Sequence, residues 1–375
     1  MGLDTRQKLD ILSADSQYDL ACACATGKDE HRRRGLDGKW LYPVPMVSGG
    51  TGIMLKTLLS NACANDCKYC PLRSETNVRR CALTPEEIAR FFMEYQRQRR
   101  LLGLFLSSGV IGTPDATMER LNAVAAILRY RYHYKGYIHL KIIPGASPAA
   151  VEEALSLATA VSLNIEAPGA RHFQRLSDCK NYQRDIIEPL KFMAGQTAPG
   201  QRYARVKCTT QFIVGASDEN DREIVRYMDG IYHRLKFERI YFSAYQPGLG
   251  RAEIPGEQRF SLTPEARFTR EHRLYQADFL MRQYGFDAGE MMFGHDGNFS
   301  LDRDPKEAWA DGHPEFFPVY INRAEREVLL RVPGLGPVSV KKIIAARRQT
   351  RLRDLATVGI TGKLAIKAGR YLVFS

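Results

Sequence analysis

No apolar stretch in this 375-residue sequence is long enough to cross a bilayer, which argues against a helical membrane protein. The first twenty residues include Asp4, Arg6, Lys8, Asp10, Asp15 and Asp19, so they lack the apolar core of a secretory signal. Arg6 also stands where a myristoylation pattern beginning Met1-Gly2 needs Ser or Thr. Cysteine is sparse, with eight residues in 375, too dilute for a disulfide framework. Acid is short as well: 42 Asp and Glu face 54 Lys and Arg, for a formal charge of +12. These absences predict a soluble, cytoplasmic protein with no membrane partner. Its length suits two domains, or one large barrel with an appendage.

Three of the few cysteines stand together. Cys63-Ala64-Asn65-Asp66-Cys67-Lys68-Tyr69-Cys70 is a C-x3-C-x2-C array that directly follows the apolar run Gly52 to Leu59. Three thiolates in eight residues can hold an iron–sulfur cluster by three irons and leave the fourth open to a substrate or cofactor. A structural zinc site wants four ligands, usually as two separated pairs, and no histidine or fourth cysteine stands beside these three. The array therefore fits a cluster better than zinc.

Beyond the array, short apolar runs alternate with segments of helical periodicity. Strands are predicted at Gly52 to Leu59, Leu104 to Ser107, Tyr137 to Ile143, Val161 to Glu166, Val206 to Val214 and Arg239 to Ala244. Helices are predicted at Pro85 to Arg100, opened by Thr84 as N-cap with Glu87 three residues on, and at Ala116 to Tyr130, Pro148 to Leu157, His172 to Met193, Glu219 to Lys236 and Pro264 to Tyr284. Six successive strand-then-helix units predict a parallel sheet in an α/β fold, a partial (β/α)6 TIM-like barrel. Barrels gather their chemistry at the carboxyl ends of the strands, and the cysteine array follows the first. The expected domains are an extension over residues 1–50, the barrel over 51–294, an irregular connector over 295–318 and a small helical domain over 319–375.

That last segment holds 12 Lys and Arg against 3 acids, a net of +9, which favours a polyanionic partner and nucleic acid in particular. Its pattern reads as a helix over Arg323 to Leu330, a turn Val332-Pro333-Gly334-Leu335-Gly336-Pro337, and a second helix over Val338 to Arg348. Backbone amides at the start of the second helix form a phosphate-sized anion site, with Lys341, Lys342, Arg347 and Arg348 following. The same turn also packs helices against each other, and the nearby charge tips the reading toward phosphate.

Together these residues resemble the radical S-adenosylmethionine (SAM) superfamily. The resemblance implies a 4Fe–4S cluster on Cys63, Cys67 and Cys70, whose unligated iron chelates SAM and whose reduction cleaves it to a 5′-deoxyadenosyl radical. Tyr69 matches the aromatic residue before the third cysteine, beside the adenine. Ser107-Ser108-Gly109 takes the place of the family's Gly-Gly-Glu, without its acid. Asn164 and Glu166 resemble the polar pair that reaches the ribose, Ile213 and Val214 the apolar strand end beside the adenine, and Tyr245 and Gln246 the close of the sixth strand. Without the cysteines, Asn164 and Glu166 would read as a cap or strand terminator, and Ser107-Ser108-Gly109 as a turn.

The whole chain, from Lys8 to Leu12 through the terminal hairpin, is similar to radical SAM proteins described as DNA modification or repair proteins. These carry a helix-hairpin-helix at the carboxyl terminus and are associated with a partner similar to uracil-DNA glycosylases. The resemblance implies sequence-nonspecific contacts to the DNA backbone through Pro333 to Gly336, and an electron donor such as flavodoxin or ferredoxin. Two alternatives stay open: an RNA-modifying radical SAM enzyme, and a non-catalytic DNA-binding protein with a structural or redox-sensing cluster. Cys81, Cys179 and Cys208 read as structural, the latter two in a helix and a strand, and Cys22 and Cys24 as candidate hydrogen donors. The arginine runs at 32–34, 79–80 and 97–100 read as solvated faces.

Overall fold

Strand residues such as Leu104-Phe105-Leu106 and Ile138-His139-Leu140 are buried without alternation, as expected of strands covered on both faces. In the computed structural model, which describes residues 2–18, 41–45, 50–99, 101–258 and 262–375, they pair into one seven-stranded sheet. The strands are β1 (Leu41–Pro45), β2 (Thr51–Leu58), β3 (Gly103–Ser107), β4 (Tyr137–Lys141), β5 (Ala160–Ser162), β6 (Lys207–Val214) and β7 (Arg239–Ala244). Their order is sequential; β1 is antiparallel to β2, and every later pair is parallel, with Leu55 opposite Leu104, Leu104 opposite Ile138 and Thr210 opposite Ile240. Sequential parallel strands joined by helices make the expected partial barrel. Among the described residues no helix is long and apolar enough to cross a membrane.

The crossovers follow their caps. Helix α1 (Thr5–Asp15) precedes the sheet. Helix α2 (Pro85–Arg99) opens with the predicted capping box, Glu87 N donating to Thr84 Oγ1 at 3.1 Å and Thr84 N to Glu87 Oε2 at 2.8 Å. Thr113 caps α3 (Pro114–Ala126) and Ser147 caps α4 (Pro148–Leu157), each with proline at the first helical position.

Three expectations are corrected. The helix predicted over His172 to Met193 is broken into α5 (Ala170–Gln174), a turn, a wide helical turn at Tyr182–Ile187, and α6 (Glu188–Gln196). Asp66 takes the amides of Asp178 and Cys179 at 2.8 and 3.2 Å, so those N–H groups do not enter a helix, and Cys179 is exposed on the turn rather than helical. The strand predicted to Glu166 ends at Ser162, and Glu166 meets β6 only as an isolated bridge to Phe212, at a left-handed φ of 63°. The stretch predicted as an irregular connector contains α10 (Pro305–Gly312), because Asp304 accepts from the amides of Lys306 and Glu307.

The chain divides into two compact units, Met1–Glu219 with Gly230–Glu271, and Asn220–Asp229 with His272–Ser375. Helix α7 (Asp221–Gly230) crosses one boundary; α8 (Pro255–Gln258) lies in the first unit, and the long α9 (Pro264–Tyr284) crosses to the second. The tail is helical as expected, with α11 (Arg326–Arg331), α12 (Pro337–Arg347) and α13 (Gly362–Gly369), and adds a parallel pair of β8 (Val319–Tyr320) and β9 (Leu372–Val373). Leu329, Leu335, Val340, Ile343 and Leu352 are central to its core. Cys22, Cys24, the arginines at 32–34 and Arg100 lie outside the described residues.

Candidate metal centre

The cysteine loop leaves β2 and is shaped by two polar side chains. Arg80 donates to the carbonyls of Leu72 at 2.8 Å, Arg73 at 2.7 Å and Thr76 at 3.1 Å, and also to that of Asn61. A planar fork of five donors suits one residue gathering several carbonyls. Asn61 donates to Asp15 of α1 at 2.7 Å and to the Arg79 carbonyl at 2.8 Å, and accepts from Cys81 N at 2.8 Å. On the far side Lys68 N donates to the Leu176 carbonyl, Arg251 N to the Lys68 carbonyl, and Lys68 Nζ pairs with Asp178 and Glu253 at 2.9 and 3.2 Å.

The end of β3 comes close to this loop. Gly109 N donates to the Ser60 carbonyl at 2.7 Å and Ala64 N to that of Val110 at 2.9 Å. A Cβ on Gly109 would lie 2.4 Å from the Ala62 oxygen and 3.1 Å from Cys63 Cβ. Here the missing side chain is what lets strand and loop meet.

Each cysteine sulfur accepts from a different N–H: Cys63 from Val110 N at 3.4 Å, Cys70 from Leu72 N at 3.4 Å, and Cys67 from Lys180 Nζ at 3.1 Å. Among the described residues no three His, Cys, Asp or Glu close on one point as ligands of a single ion do. The three cysteines line one cavity, of about 870 Å³ with its open mouth, and an iron–sulfur cluster held there would bond one iron to each thiolate. Burial pushes the Cys67 and Cys70 thiols up, and Lys180 opposes that shift at both. On Lys180 burial favours the neutral amine, yet Cys67 and Glu166 raise its pKa on balance.

The same cavity is lined by Tyr69, Ser107, Ser108, Gly109, Asn164, Glu166 and Ile213, so most of the predicted site residues come together. Glu166 is pinned through its backbone, its N donating to the Gln211 carbonyl at 3.0 Å and its carbonyl accepting from Ile213 N at 2.9 Å. Its Oε1 accepts from Tyr69 OH at 3.0 Å, while Oε2, like Gln211 Oε1, is buried with no hydrogen-bond partner among the described residues. Burial raises the Glu166 pKa against the pull of Lys141, Lys180, Tyr69 and Asn164. Orphaned acceptors in an open cavity suit a ligand that brings hydroxyl or amine donors.

Val214 is buried on the opposite face of β6 from Ile213, as strand alternation dictates, and does not line the cavity. Tyr245 lines a smaller neighbouring cavity that shares Tyr69, Cys70, Gln211 and Ile213 with the first, and its hydroxyl is bound to Glu257; Gln246 lines neither. Lys141, Lys180 and Gln211 were missed. A lysine closing the apolar strand Tyr137–Lys141 was a readable signal for the first, and Asn181, a cap to Arg184 N at 2.8 Å, marked the helix restart beside the second.

In the tail, Gly334 (φ 85°) and Gly359 (φ 70°) stand 25 residues apart, and each is followed by a buried aliphatic, Leu335 or Ile360, and an extended N-cap, Gly336 or Thr361. The sequence pattern showed only the first of these two glycine turns. Neither N-cap makes a side-chain cap bond. Pro333 is buried, and Lys341, Lys342 and Arg348 are exposed. Arg347 is half-buried and donates to the carbonyls of Ile321 at 2.9 Å and Ala324 at 2.7 Å, so its guanidinium holds the domain together.

A family model described as the Radical SAM superfamily matches residues 57–231. Among solved structures, methylornithine synthase is similar at 15% identity with a TM-score of 0.46, over 60% of this chain and 62% of that one. The FeFe-hydrogenase maturase HydG from Carboxydothermus hydrogenoformans is similar at 15% identity with a TM-score of 0.44, over 61% and 51%. Native anSMEcpe with bound AdoMet is similar at 14% identity with a TM-score of 0.40, over 61% of each chain. The chain thus spans less than two thirds of the length of these proteins. No curated protein matches it by sequence.

Proposed function

We propose, from the match of residues 57–231 to the Radical SAM superfamily model, that this chain is a radical SAM enzyme that acts on DNA, installing a modification or repairing a lesion. The superfamily uses a 4Fe–4S cluster and SAM, and when bound they supply the one-electron cleavage that yields a 5′-deoxyadenosyl radical. Cys63, Cys67 and Cys70 would hold the cluster. Glu166 Oε2 and Gln211 Oε1 would take hydroxyl or amine donors of the cofactor, and Tyr69 orients Glu166 by its hydrogen bond. The close approach at Gly109 shuts the wall of the cavity between β3 and the cysteine loop.

The observation that carries the nucleic-acid half is the pair of glycine turns, each leading into a helix, in a segment of net charge +9, with Lys341, Lys342 and Arg348 exposed. Such contacts grip phosphates without reading bases. An electron donor of the flavodoxin or ferredoxin class and a uracil-DNA-glycosylase-like protein are the proposed partners.

The test is anaerobic. After iron and sulfide reconstitution, SAM and a reductant are added, and 5′-deoxyadenosine is measured with duplex DNA, with structured RNA and with neither. DNA-stimulated product supports the reading, RNA-stimulated product favours RNA modification, and no product from a reducible cluster favours a sensor. In parallel, the full chain carrying Lys341→Glu and Lys342→Glu should bind duplex DNA more weakly and lower the salt slope by about 2. Unchanged binding would remove the hairpin from the docking role.

A further inference from the structure

Among the described residues, the N–H donors to the sulfurs of Cys63, Cys67 and Cys70 are Val110 N and Leu72 N, both neutral amides, and Lys180, which brings a charge. Its Nζ lies 3.1 Å from Cys67 Sγ and 5.5 Å from the centroid of the Phe173 ring. The backbone carrying it is fixed on both sides. Before it, Asp66 of the cysteine loop accepts from Ser177 Oγ at 2.6 Å, Cys179 Sγ at 2.9 Å and the amides of Asp178 and Cys179. After it, Asn181 caps Arg184 N and donates its own N–H to Asp185 at 2.7 Å. The loop that presents Cys67 therefore also holds the cation that touches it.

We propose that Lys180 is a redox-positioning residue, whose ammonium on the Cys67 sulfur raises the reduction potential of the cluster and so makes it reducible by a low-potential one-electron donor of the flavodoxin or ferredoxin class. The inference rests on the cluster reading above. No bond forms or breaks: one electron passes from the donor to the cluster, which becomes more negative by one charge. A cation at hydrogen-bond distance stabilises that added charge more than it stabilises the oxidised state. Hydrogen bonds to the sulfurs and local charge are among the protein's levers on such potentials.

The experiment is an EPR-monitored potentiometric titration of the reconstituted full chain, with iron and sulfide counted first, in the wild type, Lys180→Met and Lys180→Arg. With the potential poised at the wild-type midpoint, the reduced-to-oxidised ratio should fall about tenfold in Lys180→Met, equivalent to about 59 mV for a one-electron couple. Lys180→Arg should stay within about twofold. An unchanged midpoint in Lys180→Met overturns the proposal while the cluster reading stands. An equal fall in Lys180→Arg overturns it too, since packing rather than charge would then be responsible. If Lys180→Met takes up no cluster, Lys180→Gln supplies the titration under the same criterion. A wild type that binds no iron and sulfide would overturn the cluster reading and the inference with it.

Discussion

Replacing Gly109 by alanine tests whether the wall between β3 and the cysteine loop is as tight as its geometry implies. The new methyl would sit 2.4 Å from the Ala62 carbonyl oxygen, a backbone atom that cannot swing away. Restoring ordinary contact requires strand and loop to part by about 0.8 Å, taking roughly 3.2 Å as the closest comfortable C···O approach. Such a movement stretches Gly109 N to Ser60 O and Ala64 N to Val110 O beyond hydrogen-bond range from 2.7 and 2.9 Å. Two net hydrogen bonds at about 1 kcal/mol each, with about 1–3 kcal/mol of overpacking strain, give a loss of about 3–5 kcal/mol. Because Cys63 Cβ is the third atom in the clash, cluster content should fall along with stability. Urea unfolding of the apoprotein and iron and sulfide analysis after reconstitution would measure both. An alanine variant within about 0.5 kcal/mol of wild type with full cluster content would refute the argument.

Burial pushes the pKa of Lys306 down from 10.5 to about 7, with Asp304 opposing and Arg331 and Lys367 reinforcing the shift, although its Nζ donates to the Leu335 carbonyl at 2.6 Å. The folded state thus binds this proton more weakly than the unfolded one, and the associated stability, full above about 10.5, is lost as pH falls toward 7. The slope is at most about 1.4 kcal/mol per pH unit. Tryptophan-monitored urea midpoints at pH 7.5, 8.5 and 9.5 should therefore rise in the wild type relative to Lys306→Met, and parallel curves would contradict this. Arg347→Gln removes two donors from the Ile321 and Ala324 carbonyls and should cost about 1–3 kcal/mol in thermal or urea unfolding, whereas exposed Arg348→Gln should leave stability unchanged. Equal effects of the two would place Arg347 on the surface with its neighbour.

Much of the barrel was legible in local pattern: the apolar run Leu104 to Ser107 falls within β3, which is buried throughout, and the alternating strand Arg239–Ala244 and the Ser147-capped helix Pro148–Leu157 match their predicted bounds. The cysteine array was legible because its ligands are adjacent in sequence. What escaped depends on distant partners. Strand β1, Leu-Tyr-Pro-Val-Pro, contains two prolines and reads as loop unless its place at the sheet edge is known. The break after Gln174 is made by Asp66, more than a hundred residues earlier, and with it went Lys180. The second glycine turn of the tail escaped because Gly359-Ile360-Thr361 lacks the proline of its counterpart, and the likeness shows only in dihedral angles and burial.

The scaffolding of the cysteine loop has a consequence for how metal arrives. In small zinc domains the ion organises an unfolded chain, and binding free energy is folding free energy. Here Arg80, Asn61, Lys68 and Asp66 tie the loop to its own carbonyls, to α1, to the turn at 176–180 and to residues 251–253 through bonds that do not use the cysteine sulfurs. Cluster insertion then has little chain entropy to overcome. A chelator that strips a cluster from these cysteines should therefore leave the barrel folded.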